Sequence, residues 1–362
     1  MRVIISGGGT GGHIFPAVAI AKTIQKQYPQ AKILFVGALG KMEMEKVPAA
    51  GFEIVGLPIV GIQRRLTWKN LLVPFKLLAS MLKARRIIRE FKPDIAIGVG
   101  GYASGPLLRA AASAGIPTVI QEQNSFPGIT NRILSKKVNT ICVAYPGLEK
   151  YFPKEKLVMT GNPARPEVVD LQGKTDKARE FFSLDSSRKT VLIIGGSLGA
   201  RTVNKAVEAA AKTWEEKGLQ VIWQTGKGYV EQAKAVTQSL THVQAHEFIR
   251  EMDLAYAAAD LVVSRAGAMS ISELCLVGKP AIFIPSPNVS EDHQTKNAMA
   301  LVSRGAAVLV KDTEAEVELC KMVLELMSND AQRTALAAGA KSMAFDHAAE
   351  RIVEEVMKLI RV

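Results

Sequence analysis

A short apolar run, Arg2-Val3-Ile4-Ile5-Ser6, passes into Gly7-Gly8-Gly9-Thr10-Gly11-Gly12-His13, and a helical pattern begins at Phe15-Pro16. Five glycines within residues 7–12 give a tight strand-to-helix turn in which a ligand can approach the backbone N–H groups. The start of the following helix favours negative charge, so a phosphate or a developing oxyanion is the expected guest. His13 stands where chemistry can be done on that guest. A turn serving packing alone is the weaker reading, because it needs neither five glycines nor the histidine.

Gly7, Gly9 and Gly12 also fit the G-x-G-x-x-G spacing, by itself a weak dinucleotide signal. A nicotinamide or flavin site wants an acidic residue at the end of the second strand to hold the ribose. That strand reads Lys32-Ile33-Leu34-Phe35-Val36-Gly37-Ala38 and ends without one; Glu43 comes later, inside the next helical pattern. The redox reading loses ground accordingly.

At 362 residues, 48% hydrophobic and 22% charged, the chain suits two globular domains with full cores. No run approaches the ~18 apolar residues of a membrane span, and the N-terminus lacks a signal-peptide pattern. Cys142, Cys275 and Cys320 are scattered and odd in number, which suits reduced core residues in a cytosol. Charge is unevenly spread: residues 1–165 hold 23 basic and 8 acidic side chains, net +15, against net −3 for the rest. Such asymmetry points to nucleic acid or an anionic membrane surface as partner of the first half.

Strand and helix patterns alternate throughout, the mark of parallel sheets with crossover helices. Strands are expected near residues 2–7, 32–38, 53–60, 94–100, 117–123, 140–145 and 156–161. The polar, proline-bearing stretch Asn162-Pro163-Ala164-Arg165-Pro166 reads as a linker. A second series is expected near 190–196, 219–225, 242–249, 261–264, 280–285 and 306–311. Further glycine turns lie at Gly100-Gly101-Tyr102-Ala103-Ser104-Gly105 and Gly195-Gly196-Ser197-Leu198-Gly199-Ala200. The layout fits two doubly wound domains facing across a cleft, with ligands at the carboxyl ends of the strands. The boundaries expected are 1–163, 164–345 and a final helix in 346–362 that packs back on the first domain.

Taken together, Gly8-Gly9-Thr10-Gly11-Gly12-His13, Gly100-Gly101-Tyr102 and Gln121-Glu122-Gln123-Asn124 resemble the MurG family of bacterial peptidoglycan glycosyltransferases. Gly161-Asn162-Pro163, the turn at Gly195, Ser264-Arg265-Ala266-Gly267-Ala268 through Glu273, Asp292-His293-Gln294 and Asn297 continue the likeness in order along the whole chain. The resemblance implies the GT-B architecture, two Rossmann-like α/β domains with the donor held mainly by the second. It also implies transfer of N-acetylglucosamine from UDP-N-acetylglucosamine to a lipid-linked muramyl-pentapeptide, with inversion.

For the donor, the turn and helix start Ala268-Met269-Ser270-Ile271-Ser272 can offer N–H and hydroxyl groups to the phosphates. By resemblance, Glu273 accepts from the ribose hydroxyls, Ser197 makes a second phosphate contact and Arg165 adds cationic charge. Phe248-Ile249 borders the uracil, with backbone groups of Ile249 reading the base. Gln294 reads the sugar hydroxyls, with Asn297 holding its helix. Thr10, Gly11, Gly12 and Asn124 close over the donor, and Gly101 and Tyr102 lie on the acceptor side. His13 is the first candidate for general base; Glu122, a carboxylate whose pKa a desolvated cleft would raise, is the competing one. Either can instead be structural.

The five histidines are scattered and no D-x-D pair ends a strand, so no metal site and no cofactor are expected. Helix dipoles and backbone donors would then carry the diphosphate. Residues 64–92 hold nine basic side chains and one acid. Trp68, Leu71, Leu72, Phe75, Leu78 and Leu82 fall among them at helical spacing, with Lys69 and Lys76 alongside. An apolar stripe on the core with a basic face in water is the ordinary explanation. The charge of the half and a lipid-linked acceptor favour a peripheral patch at the cytoplasmic face of the cell membrane. No nucleic-acid module is recognised. The rivals are another UDP-sugar glycolipid transferase, a UDP-N-acetylglucosamine 2-epimerase and a non-enzymatic UDP-sugar-binding adaptor.

Overall fold

The computed structural model describes residues 1–61, 73–196 and 199–360, apart from the side chains of Pro166 and Ser290. The chain divides into two units, Met1–Ala164 with Phe345–Val362, and Arg165–Ala344.

The first unit is built on a parallel sheet of seven strands: β1 (Arg2–Ser6), β2 (Lys32–Ala38), β3 (Glu53–Leu57), β4 (Ile95–Gly98), β5 (Thr118–Glu122), β6 (Thr140–Val143) and β7 (Leu157–Met159). Their spatial order is β3-β2-β1-β4-β5-β6-β7, so the winding reverses between β1 and β4. Val3, Ile4 and Ile5 are all fully buried, as expected for a strand covered by helices on both faces. Helix Gly11–Gln27 packs Ile14, Ala17, Ile20, Ala21 and Ile24 inward.

The second unit carries β8 (Lys189–Ile194), β9 (Leu219–Gln224), β10 (Val243–His246), β11 (Leu261–Ser264), β12 (Ala281–Phe283) and β13 (Val308–Leu309). The order is β10-β9-β8-β11-β12-β13, again all parallel. Its winding reverses between β8 and β11. Trp214 and Trp223 fill its core with no exposed surface.

Three local expectations change. The first helix starts at Gly11 rather than Phe15, with Thr10 extended as its cap, so His13 lies in the first helical turn. Asn162, read as part of a linker, is 2% exposed. It accepts from the Gln121 amide at 2.8 Å and donates to the Gln123 carbonyl at 3.0 Å, tying that segment into the first unit. Cys142 and Cys275 are buried, but Cys320 is only half-buried.

Helix Ala348–Ile360 belongs to the first unit and lies against helix Gly11–Gln27. Its Ile352, Val353 and Val356 join the cluster of Ile14, Ile20 and Ile24. Ile352→Ala is therefore expected to cost about 2–5 kcal/mol of stability, as for other large-to-small core changes. The denaturation midpoint of the first unit measures it.

Candidate functional site

In a doubly wound sheet, ligands gather beyond the carboxyl ends of the strands where the winding reverses. In the first unit this point is flanked by the turn after β1 and the turn after β4. The two turns touch. Gly101 has φ +88°, and a Cβ there would overlap the Gly8 carbonyl oxygen; a Cβ at Gly100 would lie 2.7 Å from the His13 ring. The Ser104 hydroxyl donates to the carbonyls of Ser6 and Gly100 at 2.9 and 2.8 Å, bolting the second turn to the end of β1.

His13 is half-buried on this floor. Its Nδ1 lies 3.1 Å from the Gly8 carbonyl oxygen. A carbonyl oxygen only accepts, so Nδ1 carries the hydrogen and Nε2 of the neutral ring keeps its lone pair. Thr10 makes no side-chain cap to the helix, whose first N–H groups, including those of Gly11 and Gly12, have no acceptor within the helix. Tyr102 is 48% exposed, and its ring covers Gly61 so closely that a Cβ there would overlap it.

Glu122 has a different character from His13. It ends β5 with 1% exposure. One oxygen accepts from Asn124 N at 3.0 Å and Asn124 Nδ2 at 3.1 Å; the other accepts from Gly128 N at 3.0 Å and Asn131 Nδ2 at 2.9 Å. Burial pushes its carboxyl above the usual range, while these four donors pull it back. Both oxygens are occupied in shaping the loop 123–128, so the side chain is a loop anchor rather than a base open to substrate. Asn124 is positioned by it.

Two residues of the first unit gain importance only in three dimensions. Glu43, with no exposed surface, accepts from Gly9 N at 2.8 Å and Ala38 N at 2.9 Å beneath the first turn. Asn131 braces Glu122 from the helix Ile129–Leu134. Glu43 was visible in the sequence, but only as a carboxylate that comes too late for the ribose position.

In the second unit, Gly267 is extended and opens the helix Ala268–Val277 with no side-chain cap. Met269, Ser270 and Ser272 are half-buried in its first turns, with Ala268 and Ile271 buried. Ser272 donates back to the Ala268 carbonyl at 2.9 Å. Glu273 is buried; its Oε1 accepts from Arg165 Nη2 at 3.1 Å and its Oε2 from the Tyr256 hydroxyl at 3.2 Å. Burial raises the Glu273 pKa, and the Arg165 guanidinium draws it down. Tyr256, fully buried beside that carboxylate, is held well above the usual phenol range. Arg165, expected to serve phosphate, here pairs with Glu273, and Tyr256 was not foreseen.

Ile249 N donates to Gln224 Oε1 at 3.0 Å, and Gln224 Nε2 donates to the Gly196 carbonyl at 3.2 Å. The expectation for Ile249 thus narrows to its carbonyl, and Gln224 emerges as the strut between the second glycine turn and Ile249. Phe248 is 54% exposed. Gln294 lies in the first turn of the helix His293–Val302, and its Oε1 accepts from Ser286 N at 2.8 Å. Asn297 is fully buried beneath it.

Ser197, Trp68, Lys69 and Leu72 lie outside the described residues. Phe75 is 71% exposed and Lys76 half-buried on the helix Val73–Phe91. That helix turns Ser80, Ala84, Ile87 and Ile88 inward and leaves Phe75, Leu78 and Leu82 in solvent. The described part of the apolar stripe is therefore not spent on the core. Among the described residues, no helix is long and apolar enough to cross a membrane, and no group of three His, Cys, Asp or Glu is placed to hold a metal ion.

Two Rossmann-like domains, each with a glycine turn where its winding reverses, define the GT-B class of glycosyltransferases. The chain belongs to glycosyltransferase family 28: the family's N-terminal domain matches residues 3–143 and its C-terminal domain residues 190–352. It is 53% identical over 361 residues to the UDP-N-acetylglucosamine–N-acetylmuramyl-(pentapeptide) pyrophosphoryl-undecaprenol N-acetylglucosamine transferase of Parabacteroides distasonis, covering 99% of this chain and 98% of that one. The enzyme of the same name from Cytophaga hutchinsonii is 54% identical, covering 99% and 97%. The crystal structure of Acinetobacter baumannii MurG superposes with a TM-score of 0.81 at 31% identity, covering 99% of each chain.

Proposed function

We propose that this chain moves N-acetylglucosamine from UDP-N-acetylglucosamine to the 4-hydroxyl of the muramyl sugar of undecaprenyl-pyrophosphoryl-N-acetylmuramyl-pentapeptide. This is a step of peptidoglycan synthesis. The observation that carries the reading is full-length identity above one-half with enzymes of that name, joined to a histidine whose Nδ1 is fixed on the Gly8 carbonyl in the first glycine turn.

The reaction is a single displacement. The muramyl 4-oxygen forms a bond to the anomeric carbon as the bond from that carbon to the UDP oxygen breaks, giving a β-linked product from an α-linked donor. The electron pair leaves with the diphosphate, and His13 Nε2 takes the hydroxyl proton. N–H groups of the helix start Ala268–Ser272 stabilise the charge that develops on the leaving group. Ser197 serves the same diphosphate. Glu273 accepts from the ribose, the Ile249 carbonyl reads uracil, and Gln294 donates to the sugar hydroxyls. Gly101 and Tyr102 face the acceptor. Arg165 and Tyr256 hold the Glu273 carboxylate in place. Tyr256→Phe removes one hydrogen bond, about 0.5–1.5 kcal/mol, and should raise KM for the donor about three- to tenfold. Steady-state kinetics at saturating acceptor measure it.

The acceptor's lipid explains the solvent-facing Phe75, Leu78 and Leu82 on the helix that carries Lys76, Lys83, Arg85 and Arg89. It supports a peripheral position on the anionic inner leaflet. Each engaged cation adds ~1 kcal/mol, so several give reversible attachment rather than anchoring. Phe75→Ser with Leu78→Ser should weaken binding to anionic phospholipid vesicles at least about tenfold, given 1.5–3 kcal/mol for a buried apolar side chain; vesicle sedimentation measures it.

The deciding experiment is transfer of radiolabelled N-acetylglucosamine to purified lipid-linked muramyl-pentapeptide with chelator present. A β-linked disaccharide-lipid is expected, at undiminished rate. Label remaining water-soluble as free or epimerised sugar would favour the 2-epimerase, and loss of transfer in chelator would defeat a metal-free site.

A further inference from the structure

The peptide plane between Gly8 and Gly9 has both of its polar groups bound to ionisable side chains. Its carbonyl oxygen, on Gly8, lies 3.1 Å from His13 Nδ1. Its N–H, on Gly9, donates to Glu43 Oε2 at 2.8 Å. The other Glu43 oxygen accepts from Ala38 N at 2.9 Å, at the end of β2. The Glu43 side chain is fully buried and, among the described residues, forms no ion pair. A Cβ at Gly8 or Gly37 would collide with it. The carboxylate is thus wedged under the turn with one orientation available.

That wedge decides which way the peptide points. A peptide between two glycines has little steric resistance to turning over, and Gly9 already sits at φ +88°. If the plane flipped, the Gly8 oxygen would face the Glu43 carboxylate, two acceptors in contact in a buried place. The Gly9 N–H would then face His13 Nδ1, which could only accept it. Hydrogen would move to Nε2, and that nitrogen would no longer be a base. With the plane as it stands, Glu43 draws on the N–H, the carbonyl becomes a better acceptor, and the bond to Nδ1–H is strengthened. In hydrolytic triads a carboxylate holds the histidine tautomer by direct contact; here one peptide unit lies between them.

We propose that Glu43 is a positioning residue for His13: by accepting the Gly9 N–H it fixes the Gly8–Gly9 peptide so that Gly8 takes the Nδ1 hydrogen, which sets the tautomer of the neutral ring with its lone pair on Nε2. The catalytic part of this inference rests on the reading of His13 as the base; the control of tautomer does not.

The test is the ¹⁵N spectrum of the full chain labelled at histidine, with His13 assigned by the signals lost in His13→Gln. In the wild type, a protonated Nδ1 and an unprotonated Nε2 are expected for the neutral ring. Glu43→Gln presents an amide NH2 that invites the flipped peptide. It should shift His13 toward the Nε2–H form and lower kcat about tenfold or more, the scale of lost outer-shell support. KM for UDP-N-acetylglucosamine should change less than twofold. An Nε2–H tautomer in the wild type overturns the proposal without any variant, so a misfolded Glu43→Gln does not shield it. Glu43→Gln with an unchanged tautomer overturns it too, whatever happens to kcat. A tautomer that responds to Glu43 while His13→Gln turns over normally overturns the base reading instead, and with it the catalytic part alone.

Discussion

Replacing His13 by alanine is expected to lower kcat about 10²–10⁴-fold, the range general-base catalysis contributes, with a much smaller change in KM for the donor. The muramyl 4-hydroxyl is a poor nucleophile until its proton leaves, and in the proposed reaction the His13 imidazole takes that proton. Glu122 offers no substitute, since both of its oxygens already receive two donors inside the loop. His13→Gln keeps a hydrogen-bonding side chain but no basic nitrogen, and should be as impaired. Single-turnover transfer separates this chemical loss from product release. Turnover near wild type in both variants would remove His13 from the proton transfer.

Gly101→Ala is the second large effect expected. Its φ of +88° suits glycine, and an L-residue there costs about 1–2 kcal/mol before any contact is considered. The added methyl also meets the Gly8 carbonyl oxygen, the atom that holds His13 Nδ1. The turn must therefore yield where the His13 ring is positioned. A displacement near 1 Å can cost about 10² in rate, so kcat should fall about a hundredfold along with a lowered melting temperature. Gly115→Ala is the matched control: φ is +74° there, with open space around the added methyl. It should show the stability loss without the loss of turnover. Equal turnover in the two variants would mean that the contact between the turns does not set the site.

Much of this was written locally. Thirteen apolar segments separated by helical patterns give two parallel sheets, because strands covered on both faces must be continuously apolar. The glycine turns and His13 were legible for the same reason: a reversal of chain direction within a few residues restricts residue type at the turn itself. Phe75, Leu78 and Leu82 were readable as a stripe, yet period alone does not say whether a stripe faces core or solvent; packing of Ser80, Ala84, Ile87 and Ile88 settled that.

What tertiary structure decided are the partners. Gly9 and Glu43 are 34 residues apart, Ile249 and Gln224 25, Arg165 and Glu273 108. None of these bonds leaves a periodic trace, because each is set by which strand lies beside which once the crossovers are wound. The order β3-β2-β1-β4 brings the end of β2 under the turn after β1, and so makes a carboxylate from the next helix the support of that turn. Composition and spacing determined that this chain would be two wound sheets with an anion-seeking turn and a histidine. Strand order determined which buried side chains hold that histidine still, since hydrogen bonds are directional and only the assembled sheet supplies the direction.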